Sequence, residues 1–440
     1  MGQGSHILIQ NRTDQDWICF HNHKYQMDGW KFPKKIEAGT EVRVYVEFCE
    51  GVFKDEHDDG GEVKYRFASD TDETPSRYIE FAATFKHDRD VYVKLVDVPS
   101  KPEALNKTID LGWRHDGSMP FALYGSKGNY FPIDPGNWMQ ATMDAIGEYT
   151  LKEIAIPGSH DAGMYKRNGH TLFGEDCNTL TQTLSIGGQL ANGSRYFDIR
   201  PVISGDQYYT GHYTKAIKMT WQGANGESVS DIIKEVNEFT SKRKELIILN
   251  LSHDYNADVG NASYRHFNEE EWTGLFGQLS KINGLLHSEA NDLTHVKLND
   301  LLADGSKVIV VTEKLDKSQL GKYYRKGFFT SSEFNVYNKY ADTNSVSQMM
   351  ADQIKKMKEH RAAYFLLSWT LTQSHREAAT CFLFPSDSIL DLAKTANANL
   401  YRAFDEISGS LYPNIVYIDK FDSPLALSLV LYINALVCDN

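Results

Sequence analysis

The stretch EIAIPGSHDAGMY, Glu153 to Tyr165, sets a short apolar run against a polar turn. Ile154, Ala155 and Ile156 stop at Pro-Gly, and Ser159, His160 and Asp161 follow at once. A continuously apolar run of this kind marks a strand covered on both faces, which belongs to a parallel sheet sheathed by helices. The texture recurs in RYFDIRPVI, QYYTG, LIILNLS, KVIVVTE, YFLLSW and NIVYID. Amphipathic stretches lie between these strand candidates. In SVSDIIKEVNEFTSKRKE, Ile232, Val236 and Phe239 share a face, Ser230 is the expected N-cap and basic residues fill the last turn. Strand–helix alternation from residue 136 to residue 440 predicts fold class α/β, an irregular TIM-like β/α barrel.

Residues 1–126 have a different texture. In EVRVYVEF, Val42, Val44, Val46 and Phe48 fall on one side, and Glu41, Arg43, Tyr45 and Glu47 on the other. DVYVKLVDV repeats the pattern with Val91, Val93 and Leu95, and HILIQN and RYIEFAATF read as further strands. Alternation marks half-buried antiparallel strands, so an N-terminal antiparallel β-sandwich is expected ahead of the barrel. Residues 127–135, within LYGSKGNYFPIDPGNW, are read as the linker. DEHDDGGE, Asp55 to Glu62, reads as a solvated acidic turn. An EF-hand loop counted from Asp55 needs a glutamate where Arg66 stands, which leaves a calcium site of another kind as the alternative.

The chain has 440 residues and a net charge of −13, which excludes a nucleic acid as partner, since that needs a basic footprint. MGQGSHILIQ has no basic region ahead of a long apolar run, so no signal peptide is expected. His6 stands where a myristoylation motif carries Ser or Thr. No apolar stretch approaches the ~20 residues of a membrane span. SPLALSLVLYINALV therefore reads as a buried helix. A cytoplasmic or non-classically secreted protein is expected. Cys19, Cys49, Cys177, Cys381 and Cys438 are scattered and form no CxxC pair, which points to reduced thiols and no zinc site.

Catalytic groups of a β/α barrel sit at the C-terminal ends of its strands. The strand candidates here end in ionisable residues: His160 and Asp161, then His212 in QYYTGHY, His253 and Asp254 in NLSHDYN, and Asp419 and Asp422 in NIVYIDKFD. Asp198 and Arg200 in RYFDIRP lie two apart, so both point to one face. A core strand must pair such charges or use them. Taken singly, a strand-end histidine is a structural residue and an Asp–Arg pair is a salt bridge. Taken together, two histidines, an arginine and carboxylates supply a base, an acid and a phosphate-binding cation for a phosphodiester.

IAIPGSHDAGMY, then GSRYFDIRPV, then YYTGHY resemble the X region of phosphatidylinositol-specific phospholipase C, most closely its bacterial and fungal single-barrel members. SVSDIIKEVNEFTSKRKELIILNLS and PNIVYIDKFD extend the similarity over about residues 136–425. The resemblance implies that His160 is the general base acting on the inositol 2-hydroxyl. That oxygen attacks phosphorus and expels diacylglycerol, leaving a cyclic inositol phosphate. It implies that His212 is the general acid and Arg200 the phosphate-binding group of the metal-independent members. Calcium-dependent relatives carry an acidic residue at that position, so neither metal nor cofactor is expected. Asp161 and Asp198 match the carboxylates around the arginine and the acid histidine. Asp419 is the candidate for orienting His160, with Asp422 second.

Some positions depart from the family pattern. Tyr213 follows the acid histidine, where glycine is common. LLSWTLTQS offers Ser368, Trp369 and Thr370 where the bacterial enzymes present an aspartate and a tyrosine to the sugar, and VVTEK offers Glu313 and Lys314 in place of an arginine. His253, Lys314, Ser368, Trp369 and Thr370 form the expected substrate-binding set. At the N-terminus, ILIQNRT and KFPKKIEAGT loosely resemble the aegerolysins, which implies a lipid-binding module. Trp17, Phe20, Tyr25 and Trp30 then face either a membrane or the sandwich core, and the core is the expected place. The expected activity is phospholipase C-type cleavage of phosphatidylinositol or a related phosphodiester, with a phospholipid substrate and peripheral membrane association. The alternatives are a headgroup-binding protein that keeps the barrel without turnover, and a metal-dependent glycerophosphodiesterase-like enzyme.

Overall fold

Eight short parallel strands make the sheet that carries the polar strand ends. They are β1 (Ile156–Ser159), β2 (Tyr196–Ile199), β3 (Leu246–Leu251), β4 (Lys307–Thr312), β5 (Phe328–Thr330), β6 (Val336–Tyr337), β7 (Tyr364–Trp369) and β8 (Ile415–Ile418). Their spatial order is β5-β4-β3-β2-β1-β8-β7-β6. The last strand thus lies beside the first, as in a sheet curled towards a barrel. Among the described residues β5 and β6 end the sheet without pairing, which leaves a seam and makes the barrel irregular. The computed structural model describes residues 3–49, 58–85, 88–98, 107–126, 129–215, 220–260, 262–374, 377–378 and 388–438. The chain divides into two compact units, Met1–Asp134 and Pro135–Asn440.

Alternation along the barrel strands decides what faces the site. Phe197, Ile199, Leu249, Leu251, Val308 and Val310 point outward and pack with Ile232, Val236, Leu275 and Phe276 of two surrounding helices, Val229–Thr240 and Glu269–Leu279. Tyr196, Asp198, Asn250 and Tyr417 take the other face, where the Tyr196 and Tyr417 rings meet edge to face. The expected N-cap Ser230 is corrected to Ser228. The Ser228 hydroxyl accepts from Asp231 N at 3.1 Å, whereas Ser230 already lies in the first turn. QYYTG also leaves the barrel. It belongs to Gln207–Lys215, which pairs antiparallel with Pro201–Ser204 and Trp221–Ser228 in a separate four-stranded sheet.

At the N-terminal ends of β2 and β3, Arg195 and Glu245 form a fully buried pair at 2.7 Å. Glu245 also accepts from Gln140 N at 2.9 Å and Met139 N at 3.2 Å, and Arg195 donates to the carbonyls of Leu190 and Ser194. The apolar helix Leu425–Cys438 carries Asn434, whose amide bonds both the N–H and the carbonyl of Ala155 just before β1. No helix of the described residues is long and apolar enough to cross a membrane.

The first unit is a two-layer sandwich. One sheet has five strands, in the order Asn129–Pro132, Ser118–Ser126, Gln3–Thr13, Glu41–Phe48, Met27–Trp30. The other has six, in the order Lys35–Ile36, Trp17–Tyr25, Gly60–Phe67, Tyr78–Phe85, Arg89–Val96, Thr108–Asp110. Among the described residues every pairing is antiparallel except that of Gln3–Thr13 with Ser118–Ser126. Ile7, Val44, Val46 and Phe121 from one sheet meet Trp17, Val63, Phe81 and Val93 from the other.

Trp17 and Trp30 are buried in this core, Phe20 is half-buried and Tyr25 is exposed. Asn129–Pro132, expected in the linker, is instead an edge strand, because its backbone pairs with Ser118–Ser126. The acidic turn lies outside the described residues up to position 57. Asp59 is buried rather than solvated, and its Oδ2 accepts from Cys49 N at 2.7 Å. Cys19, Cys49 and Cys438 are thiols outside any disulfide, but Cys177 is disulfide-bonded, which corrects the expectation of uniformly reduced thiols. Cys381 lies outside the described residues.

Candidate active site

The polar turn after β1 is held from three sides. His160 N donates to Ile418 O of β8 at 3.0 Å, Asp161 N donates to Asp198 Oδ2 at 3.1 Å, and the Thr181 hydroxyl donates to Asp161 O at 2.8 Å. Asp161 adopts a left-handed φ of 40°, a strained conformation for a non-glycine residue. The turn aims the His160 ring and the Asp161 carboxylate at a single guanidinium.

That guanidinium is Arg200, whose three nitrogens each have a partner. Nε donates to Asp198 Oδ2 at 3.0 Å, Nη1 lies 3.3 Å from Asp161 Oδ2, and Nη2 donates to His160 Nε2 at 2.7 Å. An arginine can only donate, so His160 Nε2 is an acceptor and Nδ1 carries the ring proton. Nδ1 donates it to Asp419 Oδ1 at 2.7 Å. On the other side, His212 Nδ1 lies 2.6 Å from Asp161 Oδ2. The two imidazoles keep 21% and 22% of their side-chain surface exposed, whereas Asp161 keeps 0% and Asp419 3%. The rings are therefore accessible and the carboxylates are hidden behind them.

Burial, the largest single influence, and Arg200 oppose a charge on His160, but the charge and hydrogen bond of Asp419 together with the Asp198 carboxylate raise its pKa above the ordinary histidine value. Burial opposes the Asp198 carboxylate as well, but Arg200 and His160 hold its pKa well below the usual range. Asp198 is saturated with donors: besides Arg200 and Asp161 N, it accepts from Tyr417 OH at 2.9 Å and Ser252 Oγ at 2.5 Å. Sequence reasoning missed Tyr417 and Ser252. Their signal is the strand period, since Tyr417 stands two before Asp419 and Ser252 two after Asn250.

His212 is positioned by close backbone packing. Its strand has an irregular register between Tyr209 and Gly211 where it pairs with Trp221–Ser228, the kind of break that re-aims a side chain. A Cβ on Gly223 would stand 1.9 Å from His212 O, and one on Gly174 would stand 2.1 Å from Gly223 O. Only glycine lets the segment after β1 lie directly on the His212 hairpin. Tyr213 points to the opposite side, its hydroxyl donating to Asn225 Oδ1 at 2.7 Å, so it does not obstruct His212.

Behind the hairpin, Glu227 is fully buried. Its Oε2 accepts from Ile186 N at 3.2 Å, and burial together with the neighbouring Glu235 pushes its pKa up to about 8. The folded chain keeps this proton where the unfolded chain releases it near 4.5, so stability falls as pH rises from about 4.5 to 8. Glu227→Gln, which cannot ionise, is expected to lose less stability over this range, a gain on the order of a few kcal/mol at pH 8.5. Thermal unfolding of both proteins at pH 5 and pH 8.5 checks this, and equal pH slopes would refute it.

The expected substrate-binding residues separate. Ser368 lies opposite Tyr417 on the inner face, and its Oγ is 3.1 Å from Thr370 Oγ1. Trp369 is corrected: its indole is fully buried on the other face of β7 and donates to Ala396 O at 2.8 Å. Strand alternation makes Ser368 and Trp369 alternatives rather than partners. Lys314 is exposed just beyond β4, next to Glu313, which accepts from Asn250 at 2.7 Å. His253 follows two residues after β3, with a φ of 33°. Asp254 is structural, accepting from Phe267 N at 2.6 Å. Asp422 pairs with Lys420 rather than with His160. Among the described residues no group of three or more His, Cys, Asp or Glu side chains is arranged to hold a metal ion.

A β/α barrel with a histidine–arginine–carboxylate chain at its strand ends is the class that fold and site define. In sequence, the chain is similar to proteins bearing the X domain of phosphatidylinositol-specific phospholipase C. A PI-PLC X-box domain-containing protein of Dictyostelium discoideum is 26% identical over 191 residues, covering 40% of this chain and 23% of that protein. PI-PLC X domain-containing protein 3 of Bos taurus is 29% identical over 156 residues, covering 30% and 44%. The variant-surface-glycoprotein phospholipase C of Trypanosoma cruzi is 24% identical over 165 residues, covering 31% and 41%. The chain thus spans less than half the length of these curated relatives. No family model matches. Among solved structures, the phosphatidylinositol-specific phospholipase C of Staphylococcus aureus aligns with a TM-score of 0.47 at 16% identity, over 69% of this chain and 96% of its own. The Listeria monocytogenes enzyme aligns with a TM-score of 0.43 at 16% identity, over 68% and 99%.

Proposed function

We propose that the barrel unit is a metal-independent phosphodiesterase that cleaves phosphatidylinositol or a related phospholipid by intramolecular attack. The carrying observation is the chain Asp419–His160–Arg200–Asp161–His212, with two accessible imidazoles flanking one guanidinium. Arg200 binds the non-bridging phosphate oxygens. These are better acceptors for a guanidinium than a neutral ring nitrogen, so phosphate draws Nη2 off His160. The freed Nε2 takes the proton of a headgroup hydroxyl, and that oxygen attacks phosphorus. The phosphorus–oxygen bond to diacylglycerol breaks, and the leaving oxygen takes a proton from His212. The products are a cyclic phosphodiester and diacylglycerol.

A lipid surface is the proposed partner. Leu172, Phe173, Val259 and Tyr340 are exposed, at 79%, 63%, 42% and 58%. All four lie on segments that follow barrel strands, and so at the same end as His160. For the sandwich unit the same reading is a lipid-surface module, with Tyr25 and Tyr45 as its exposed aromatic contacts.

Phosphorus NMR of the full chain acting on phosphatidylinositol, beside a panel of other phospholipids, tests the reaction. A cyclic phosphate is expected as first product, at a rate unchanged by EDTA. A linear monophosphate as first product, or activity lost to chelator, would overturn the mechanism.

A further inference from the structure

The hydrogen bonds leading from Asp198 to His253 run in one fixed direction. The ionised Asp198 only accepts, so its Oδ1 must receive the Ser252 hydroxyl proton across their 2.5 Å contact. With that proton committed, Ser252 Oγ offers His253 only a lone pair. The 3.0 Å contact between Ser252 Oγ and His253 Nδ1 therefore requires the imidazole proton on Nδ1. Nε2 is left as a bare acceptor on an exposed side chain.

The ring also stays neutral. Burial of its inner edge and the Arg200 charge, joined by Lys314, pull its pKa down to about 4 against the opposing pull of Asp198 and Asp161. His253 is held in a left-handed φ of 33°, a conformation costly for histidine. Its neighbours fix that strain: Ser252 N donates to Ile199 O at 2.9 Å, and Phe267 N clamps Asp254 at 2.6 Å.

We propose that His253 is a headgroup-binding residue whose Nε2 accepts a hydrogen bond from a hydroxyl of a polyol headgroup. This rests on the phosphodiesterase reading and deepens it by naming the group recognised. One carboxylate, Asp198, then orients both the phosphate-binding Arg200 and the hydroxyl-reading His253. An acceptor at this position selects ligands that donate there and disfavours headgroups without a hydroxyl.

Two measurements on the full chain test the proposal. Long-range proton–nitrogen NMR of histidine-labelled protein, assigned with His253→Asn, is expected to show Nδ1 protonated and Nε2 bare between pH 6 and 8. Asparagine is the replacement of choice because it tolerates positive φ. A protonated Nε2 or a charged ring in this range overturns the proposal, whatever the protein hydrolyses.

The second measurement titrates inositol 1-phosphate and inorganic phosphate. Only the former is expected to shift Nε2, and His253→Asn is expected to weaken its binding about tenfold while leaving phosphate binding unchanged. Intact phosphate binding without this discrimination overturns the proposal alone. Failure to bind either probe overturns the phosphodiesterase reading together with it.

Discussion

His160→Ala is expected to lower turnover about 10³-fold, the usual scale for losing a positioned acid or base. His212→Ala should cost a similar factor, and the double variant little more, because groups that act as one unit are not additive. Asp419→Asn is the more diagnostic change. It removes the carboxylate that raises the His160 pKa and provides the acceptor that keeps the proton on Nδ1. A general base must be neutral to work, so its raised pKa places the acidic limb of kcat/KM above the ordinary histidine range. Without Asp419 that limb should move to lower pH while the plateau falls. A limb that stays in place would remove Asp419 as the partner of His160.

Glu245→Ala is expected to destabilise the barrel unit by about 3–5 kcal/mol, the cost of leaving a buried charge without its partner. Arg195 would remain fully buried with no carboxylate, and the N–H groups of Met139 and Gln140 would lose their acceptor. Glu245→Gln keeps the side-chain volume and one acceptor oxygen, so one of those N–H groups stays bonded, and it should cost less. Denaturant unfolding measures both, and a loss below about 1 kcal/mol for the alanine variant would show that the site relaxes or admits water.

The barrel was legible because both-face burial leaves continuous apolar runs, and the sandwich because one-face burial leaves alternation. LIILNLS and YFLLSW mark β3 and β7 directly. The run EIAI instead overlaps β1 only at its last residue, Ile156, and the strand goes on through Pro157 and Gly158. β5 and β6, of three and two residues, are too short to carry a pattern. Asp198 and Arg200 were readable as a same-face pair, but Ser252 and Tyr417 reach Asp198 across 54 and 219 residues of sequence. Only the register of the curled sheet brings them together. Trp369 failed for the same reason, since composition does not say which face of a strand turns inward. Cys177 likewise gave no signal of its disulfide from spacing.

The contact from Arg200 Nη2 to His160 Nε2 has a consequence for the resting protein. The lone pair that would attack an electrophile is occupied by a cationic donor until an anion takes the donor away. His160 is thus chemically guarded: acylating reagents meet a blocked nitrogen, and stray hydroxyls in an empty mouth find no base. In the proposed mechanism basicity is exposed only once an anion has drawn the guanidinium away, so the same contact that disarms the site also senses the charge of its ligand.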